Sequence, residues 1–340
     1  MSEIREARYT SFGGADVIDL VRQEPRQLGP DDAAVDMRMS GINPLDVKRR
    51  SGGQGAFVPT GGILPHTDGA GIIHSVGNNV HGLTPGQRVW VWGVGQEIGT
   101  AADRAIIPAD RITPLPDNAT FELGASLGIP AVTAALCLSR YGDLPVDPAG
   151  LPFDGKYVLV RGAGAVAHFT IQLAKHMGAY VAVSASERKL SSAKTAGADF
   201  AVDRNSMSAH RELGEFSFDG YDLIVDVSPA VNMESNIELA APRSTIALYG
   251  REGGDSADVE FRELQAKNIT IRSIRTVDLP TAELAVGAHT VTQAIDSLGG
   301  GKEHGFPLSI FNLDRIGEAH AMVESGPFHG KALIDLSRRQ

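Results

Sequence analysis

Residues 157–167 constrain this chain more than any other stretch. The apolar run Tyr157-Val158-Leu159-Val160 is followed almost directly by Gly162-Ala163-Gly164-Ala165-Val166-Ala167. Val166, Phe169, Leu173, Ala174 and Met177 then recur at helical spacing, and Gly178 follows as a C-terminal stop. A strand, a glycine turn and a helix in this order fit the pattern G-x-G-x-x-G/A, with alanine third. Each small residue has a task. Gly162 permits the tight turn, Gly164 lets backbone approach a pyrophosphate, and Ala167 lets the helix pack against the strand. The N–H groups around Ala163, Ala165 and Val166 then face the phosphates at the positive end of the helix. Further apolar runs at Tyr180–Val183, Phe200–Val202, Asp222–Val227 and Thr245–Tyr249 alternate with helix-forming stretches such as Glu187–Thr195. Strands alternating with helices predict βαβ units, hence an α/β fold with a doubly wound parallel sheet that binds a dinucleotide.

The end of the second strand of that sheet discriminates between cofactors. An NAD site places Asp or Glu there for the ribose 2′-hydroxyl. This chain has Ser184 in that place, with Ser186, Arg188 and Lys189 just beyond as hydroxyl and cationic partners for a 2′-phosphate. Glu187 argues the other way unless it faces solvent or the helix dipole, and Arg188 and Lys189 also suit a solvated helix face. NADPH is preferred over NADH. Tyr249-Gly250 ends the fifth strand, at the carboxyl edge where open α/β sheets bind ligands.

The first 125 residues or so have a different texture. Val35–Met39, Gly71–Val76 and Arg88–Trp92 read as strands between Gly and Pro turns, which favours a Greek-key or barrel-like β domain. The 340 residues hold 41 acidic against 31 basic side chains, a net charge of −10, and one cysteine, Cys137. Such a balance disfavours nucleic acid as the main partner. One cysteine cannot make an intrachain disulfide or a four-cysteine metal lobe. The charged N-terminus lacks a signal-peptide pattern and no run of about 18 apolar residues is evident, so a cytoplasmic protein without a membrane span is expected. The glycine-rich stretch 51–62, with Phe57 and Val58, reads equally as an active-site lid or as a solvated loop.

Nearly the whole chain resembles the medium-chain dehydrogenases/reductases, specifically the zinc-free quinone oxidoreductase branch. The carriers are Gly41-Ile42-Asn43-Pro44-Leu45-Asp46-Val47-Lys48-Arg49, Thr67-Asp68-Gly69-Ala70-Gly71 and Pro85-Gly86-Gln87-Arg88-Val89. Gly99-Thr100-Ala101-Ala102, Gly128-Ile129-Pro130-Ala131-Val132-Thr133-Ala134, the 162–167 turn and Gly197-Ala198-Asp199 complete the set. The resemblance implies a GroES-like catalytic domain from residues 1–128 and 269–340, an inserted Rossmann NADP(H) domain at 129–268, and a homodimer. Zinc-dependent relatives carry a cysteine and a His-Glu pair where this chain has Asn43 and Thr67-Asp68, so no zinc is expected. His66 stands where glycine is common in the branch; it either lines the substrate cleft or packs.

By the same resemblance, Asn43 lies near the nicotinamide and acceptor carbonyl, its amide able to donate to developing negative charge. Asp46 and Lys48 form an ion pair, line the cleft, or, for Asp46, anchor a turn. Thr133 is the expected cofactor contact at the crossover. Enoyl-thioester reductases of this superfamily protonate substrate with a tyrosine after the Asn segment. Residues 51–62 have none, which favours a quinone or activated alkene (enone), although Tyr9 or Tyr249 folding into the cleft stays open. The alternatives are a zinc-free alcohol/carbonyl dehydrogenase, an enoyl-thioester reductase, or a non-catalytic nucleotide-binding protein of crystallin-like or RNA-binding type.

Overall fold

The structure, a computed structural model, describes residues 3–53, 55–95, 98–139, 152–300, 302–326 and 328–337. It divides into two compact units, Met1–Ile129 with Pro307–Gln340, and Pro130–Phe306.

The first unit opens with β1 (Ile4–Arg8) and β2 (Asp19–Gln23), an antiparallel pair. β3 (Asp32–Ile42), helix α1 (Pro44–Arg50), β4 (Asp68–Val76), β5 (Arg88–Val91), β6 (Arg104–Pro108) and β7 (Ile112–Pro114) follow. The three strands read from the sequence here correspond to β3, β4 and β5. Helix α2 (Phe121–Leu138) carries the chain across the division between units. The second unit contains β8 (Tyr157–Arg161), α3 (Ala165–His176), β9 (Tyr180–Ala185), α4 (Leu190–Thr195), β10 (Phe200–Asp203), α5 (Ala209–Phe216) and β11 (Tyr221–Asp226). It continues with α6 (Pro229–Leu239), β12 (Ala240–Leu248), α7 (Phe261–Lys267), β13 (Thr270–Ser273) and α8 (Thr281–Gln293). The chain then returns to the first unit as β14 (Leu308–Asn312), α9 (Ile316–Glu324) and β15 (Lys331–Asp335).

In the first unit the sheet runs β14-β15-β3-β4-β5-β7, with β6 on β3. Its inward residues, among them Val35, Met37, Ile73, Val89, Ile107 and Ile334, form the core. Each such fully buried aliphatic side chain contributes about 1.5–3 kcal/mol. Trp90 on β5 is fully buried, and Trp92 just beyond donates its indole N–H to Thr113 Oγ1 at 2.9 Å. In the second unit the strands are all parallel in the order β10-β9-β8-β11-β12-β13. Numbered within that unit the order is 3-2-1-4-5-6, the doubly wound order of dinucleotide-binding sheets. Leu159, Ala182, Leu213, Tyr221, Ile224 and Ile246 fill one of its cores.

Three expectations change. The second unit extends to Phe306 rather than ending at 268, because β13 pairs in parallel with β12 and Phe306 stacks 4.6 Å from His168 on α3. Residues 187–195 begin as a 3₁₀ turn (Glu187–Lys189) before α4. Finally, α2 has the length and apolar composition of a membrane span, but it is mostly buried within the protein and broken at Gly128.

Candidate active site

In the second unit the turn after β8 is built as its glycines demand. Gly162 adopts φ = +107°, a left-handed conformation that L side chains rarely take, and its N–H donates to the Ser184 carbonyl at 2.8 Å. Gly164 is the N-cap of α3, and a Cβ placed there would meet no atom within 4 Å, so the backbone is open to a ligand. The first N–H groups of α3, at Ala165, Val166 and Ala167, have no intrahelical acceptor. Ala163 and Ala167 are buried, Ala167 completely. This cradle fits a pyrophosphate.

Where β9 ends, the Ser184 side chain is buried within the strand, Ser186 and Lys189 are half-buried, and Glu187 and Arg188 are exposed. Burial holds the Lys189 ammonium below its ordinary range. Arg188 and Arg204 push it the same way as like charges, and Glu252 opposes them. Three cations therefore gather beyond the carboxyl ends of β9 and β10. Tyr249 follows β12, and burial raises its hydroxyl well above the ordinary range. A Cβ at Gly250 would strike Val227, 2.7 Å from both its Cγ2 and its carbonyl oxygen, so only glycine fits there. Thr133 is buried on α2.

Arg161, the last residue of β8, was not singled out from the sequence. Its guanidinium is buried, donating to Asn236 Oδ1 (3.0 Å) and Ser235 Oγ (2.8 Å) on α6. Asn236 in turn donates to Asp226 Oδ2 (2.7 Å) at the end of β11. This chain of hydrogen bonds ties α6 to β8 and β11 beside the phosphate turn.

The first unit holds a buried polar cluster around Asn43, itself 2% exposed. Asn43 caps α1, and Asp46 reaches back to accept its backbone N–H at 2.7 Å, one half of a capping box. The Asn43 amide donates to Asp68 Oδ2 (2.6 Å) and Thr67 Oγ1 (3.1 Å) and accepts from Lys331 Nζ (2.6 Å). Asp68 also accepts the N–H of Ile129 (2.9 Å) and of Gly93 (3.3 Å), and lies 3.6 Å from Lys331 Nζ. The Ile129 N–H is available because α2 breaks at Gly128 (φ 3°, ψ −121°), whose missing Cβ would fall inside the Asp68 carboxylate. Asp68 and Lys331 are buried and oppositely charged. Burial holds Lys331 below its ordinary range, against the pull of Asp68 and Asp46. Burial, and then the Asp68 charge, raise the Asp46 carboxyl to about 7; the Asn43 N–H, Arg49 and Lys331 oppose the rise.

A second chain of bonds adjoins the first. Thr100 Oγ1 donates to the Asp68 carbonyl (2.6 Å) and is paired with Ser40 Oγ, which bonds His66 Nδ1 (2.7 Å). His66 Nε2 lies 2.9 Å from His320 Nε2 on α9. Burial, then the His320 and Lys331 charges, depress His66 well below its usual range, and burial takes His320 down to about 3. Two neutral imidazoles share one proton between their Nε2 atoms. His66 has φ = +74°, a left-handed conformation that L side chains rarely take. His66 is buried, packed at a small crevice that it lines with Tyr9, Asp46, Arg49 and Thr67.

The expected site residues are thus partly regrouped. Asn43 lies at the centre of its cluster, but both its amide N–H bonds are already donated. Asp46 and Lys48 are not brought together: Asp46 is buried as a capping residue and Lys48 is exposed. Phe57 of the 51–62 stretch is half exposed, and Gln54 of that stretch lies outside the described residues. Lys331 and His320 were missed. Their only signal is a lysine heading the apolar strand Lys331-Ala332-Leu333-Ile334 and a histidine on a short helix. Cys137 is buried on α2, its thiol raised to about 12 by burial, as befits a packing residue.

A β-rich unit enclosing this cluster, with an inserted doubly wound unit that carries a phosphate turn, defines a class: the dinucleotide-dependent dehydrogenases and reductases. Comparison with known proteins agrees. Residues 29–117 match the alcohol dehydrogenase GroES-like domain, and residues 165–298 match the family described as zinc-binding dehydrogenase. The chain is 25% identical over 346 residues to a quinone oxidoreductase of Sus scrofa, covering 96% of each chain. It is 30% identical over 239 residues to the chloroplastic NADPH-dependent alkenal/one oxidoreductase of Arabidopsis thaliana, covering 66% of this chain and 57% of the relative. The solved structure of a mycobacterial protein complexed with NADPH superposes with a TM-score of 0.77 at 24% identity, covering 98% and 99% of the two chains; that likeness is one of fold. The chain belongs to the medium-chain dehydrogenase/reductase family, in its quinone oxidoreductase branch, and is an oxidoreductase.

The residues present do not fit the zinc in the description of the matching family. Asn43 and Thr67 are poor zinc donors, the Asp68 carboxylate is engaged by amides and the Lys331 ammonium, and no group of three or more metal-ligating side chains occurs among the described residues.

Proposed function

We propose that this protein is an NADPH-dependent reductase of quinones or activated alkenes. One structural observation carries the cofactor half: Arg188, Lys189 and Arg204 gather at the carboxyl ends of β9 and β10, past the Gly162 turn, with no acid in the place of Ser184. A 2′-phosphate would relieve the repulsion among the three cations. The acceptor half is supported by relatives named as quinone and alkenal/one oxidoreductases.

Bound NADPH would supply a hydride; the chain's own work is to hold the reactants and exclude water. The Gly162–Val166 turn would hold the pyrophosphate, and Ser186, Arg188, Lys189 and Arg204 the 2′-phosphate. Solvent would protonate the hydroquinone or enolate anion. We also read the protein as cytoplasmic and, because β13 is an edge strand with no further strand paired to it among the described residues, as a homodimer.

Steady-state oxidation of NADPH and of NADH, with a simple quinone and with a 2-alkenal, tests this reading. NADPH should be preferred at least about tenfold in kcat/KM. Removing both cations in Arg188→Ala/Lys189→Ala should weaken NADPH binding by about 10–100-fold while leaving NADH binding unchanged. Better use of NADH by the wild-type protein would overturn the cofactor assignment, and no turnover of either acceptor would overturn the reductase.

A further inference from the structure

We propose that the Tyr249 hydroxyl is a ligand for the dinucleotide's diphosphate bridge, a donor supplied from the end of β12 to the glycine turn after β8. The sheet topology brings the two together. β8 and β12 both pair with β11, and Asp226, the last residue of β11, stands level with Arg161 on one side and Leu248 on the other. One residue further along each strand come Gly162, Val227 and Tyr249, in a row at the carboxyl edge of the sheet. The Tyr249 N–H donates to the Asp226 carbonyl at 3.1 Å, which holds its backbone in that row. Its side chain reaches past Val227 to the turn: a Cβ placed on Gly162 would lie 3.3 Å from Val227 Cγ1 and 4.0 Å from the Tyr249 hydroxyl. Gly162 has no such Cβ, so the space between the turn and the hydroxyl stays clear.

The hydroxyl is unspent. Its side chain is half-buried, yet its oxygen has no hydrogen-bond partner among the described residues. Burial, and after it Cys137, Asp226 and Glu252, hold its proton well beyond the ordinary range, so it stays an O–H donor, suited to an anion. Asp226 would oppose an anion, but its carboxylate is engaged from the side of α6. Its Oδ1 accepts from the Ser228 N–H at 2.8 Å and from Asn232 at 3.0 Å, and its Oδ2 from Asn236 at 2.7 Å. The first N–H groups of α3 face the same turn. Helix N-terminus and phenol thus converge on Gly162 from two different strands, and a phosphate oxygen is the acceptor that suits both. Arg188, Lys189 and Arg204 stand apart from this contact, beyond β9 and β10, so it is indifferent to a 2′-phosphate.

This contact rests on the nucleotide-binding part of the reading above, and the choice of ligands separates the two. Calorimetry with wild type and Tyr249→Phe measures NADPH, NADH, ADP and adenosine 2′-phosphate, the last having no diphosphate. The variant should bind NADPH, NADH and ADP each about tenfold more weakly, as loss of one hydrogen bond to a charged oxygen does. Adenosine 2′-phosphate should bind both proteins alike. The urea midpoint should be unchanged, since the deleted oxygen is bonded to nothing in the protein. Wild-type protein that binds neither dinucleotide fails the reading above and this contact with it. Wild type that binds, with Tyr249→Phe binding equally well, fails this contact alone. A loss for the dinucleotides but not for ADP would assign the hydroxyl to the nicotinamide side and overturn the diphosphate. A loss shared by adenosine 2′-phosphate, with a lowered urea midpoint, would make Tyr249 a folding residue and overturn it too.

Discussion

Gly128 and Asp68 show how one missing side chain organises a site. Because no Cβ stands at 128, the Asp68 carboxylate fits against the helix break and takes the Ile129 N–H at 2.9 Å. Gly128→Ala forces the carboxylate out of that space. It should cost about 3 kcal/mol, read as a lower denaturant midpoint, since overpacking of a close-fitted interior costs 1–3 kcal/mol or more. A midpoint unchanged from wild type would show that the site relaxes around the methyl. At this scale the sequence was informative where a short motif holds the residue. Asn43, Thr67 and Asp68 stood out within their segments, and His66 stood out as a departure from glycine. Lys331 and His320 did not, because their meaning comes from strand and helix neighbours hundreds of residues away, which no local pattern encodes. For Asp46 the turn-anchoring alternative is the one the structure shows, and the pair with Lys48 does not form: on a seven-residue helix the two side chains diverge, one inward and one to water.

At the scale of elements, the β8–turn–α3 unit was the most legible part of the chain. Strand period, glycine spacing and helix period agree there, and the structure follows them within a residue at each end. Gly162 tests whether that turn serves binding as well as folding. With φ = +107°, Gly162→Ala should lose more than about 1 kcal/mol of stability. It should also weaken NADPH binding about tenfold, measured by calorimetry; unaltered affinity would detach the turn from the cofactor. The far limit of the second unit was less legible. β13 is only four residues long and half exposed, so its apolar pattern is faint, and only its pairing with β12 assigns it to the parallel sheet.

At the scale of the whole molecule, buried titratable groups set the response to acid. His66 and His320 are neutral when folded, below their ordinary values, so the unfolded chain binds two more protons once pH falls below about 6.5. Asp46 works in the opposite sense: raised to about 7, it is protonated in the folded chain between its ordinary value and 7 while the unfolded chain is ionised. The difference is one proton in favour of the unfolded state between about pH 4 and 6.5. Stability should therefore fall with acidification by about 1.4 kcal/mol per pH unit. Urea midpoints across that range check it, and a His320→Gln variant should flatten the slope; a wild-type slope of zero would mean the imidazoles become charged without cost. Such denaturation can be followed unit by unit. Both tryptophans of the chain, Trp90 and Trp92, sit in or next to β5, whereas Tyr157, Tyr180, Tyr221 and Tyr249 all belong to the second unit. Indole emission is thus a native label for the half that holds Asn43 and Lys331, and a melt seen by fluorescence but not by far-ultraviolet dichroism would mean that this half opens first.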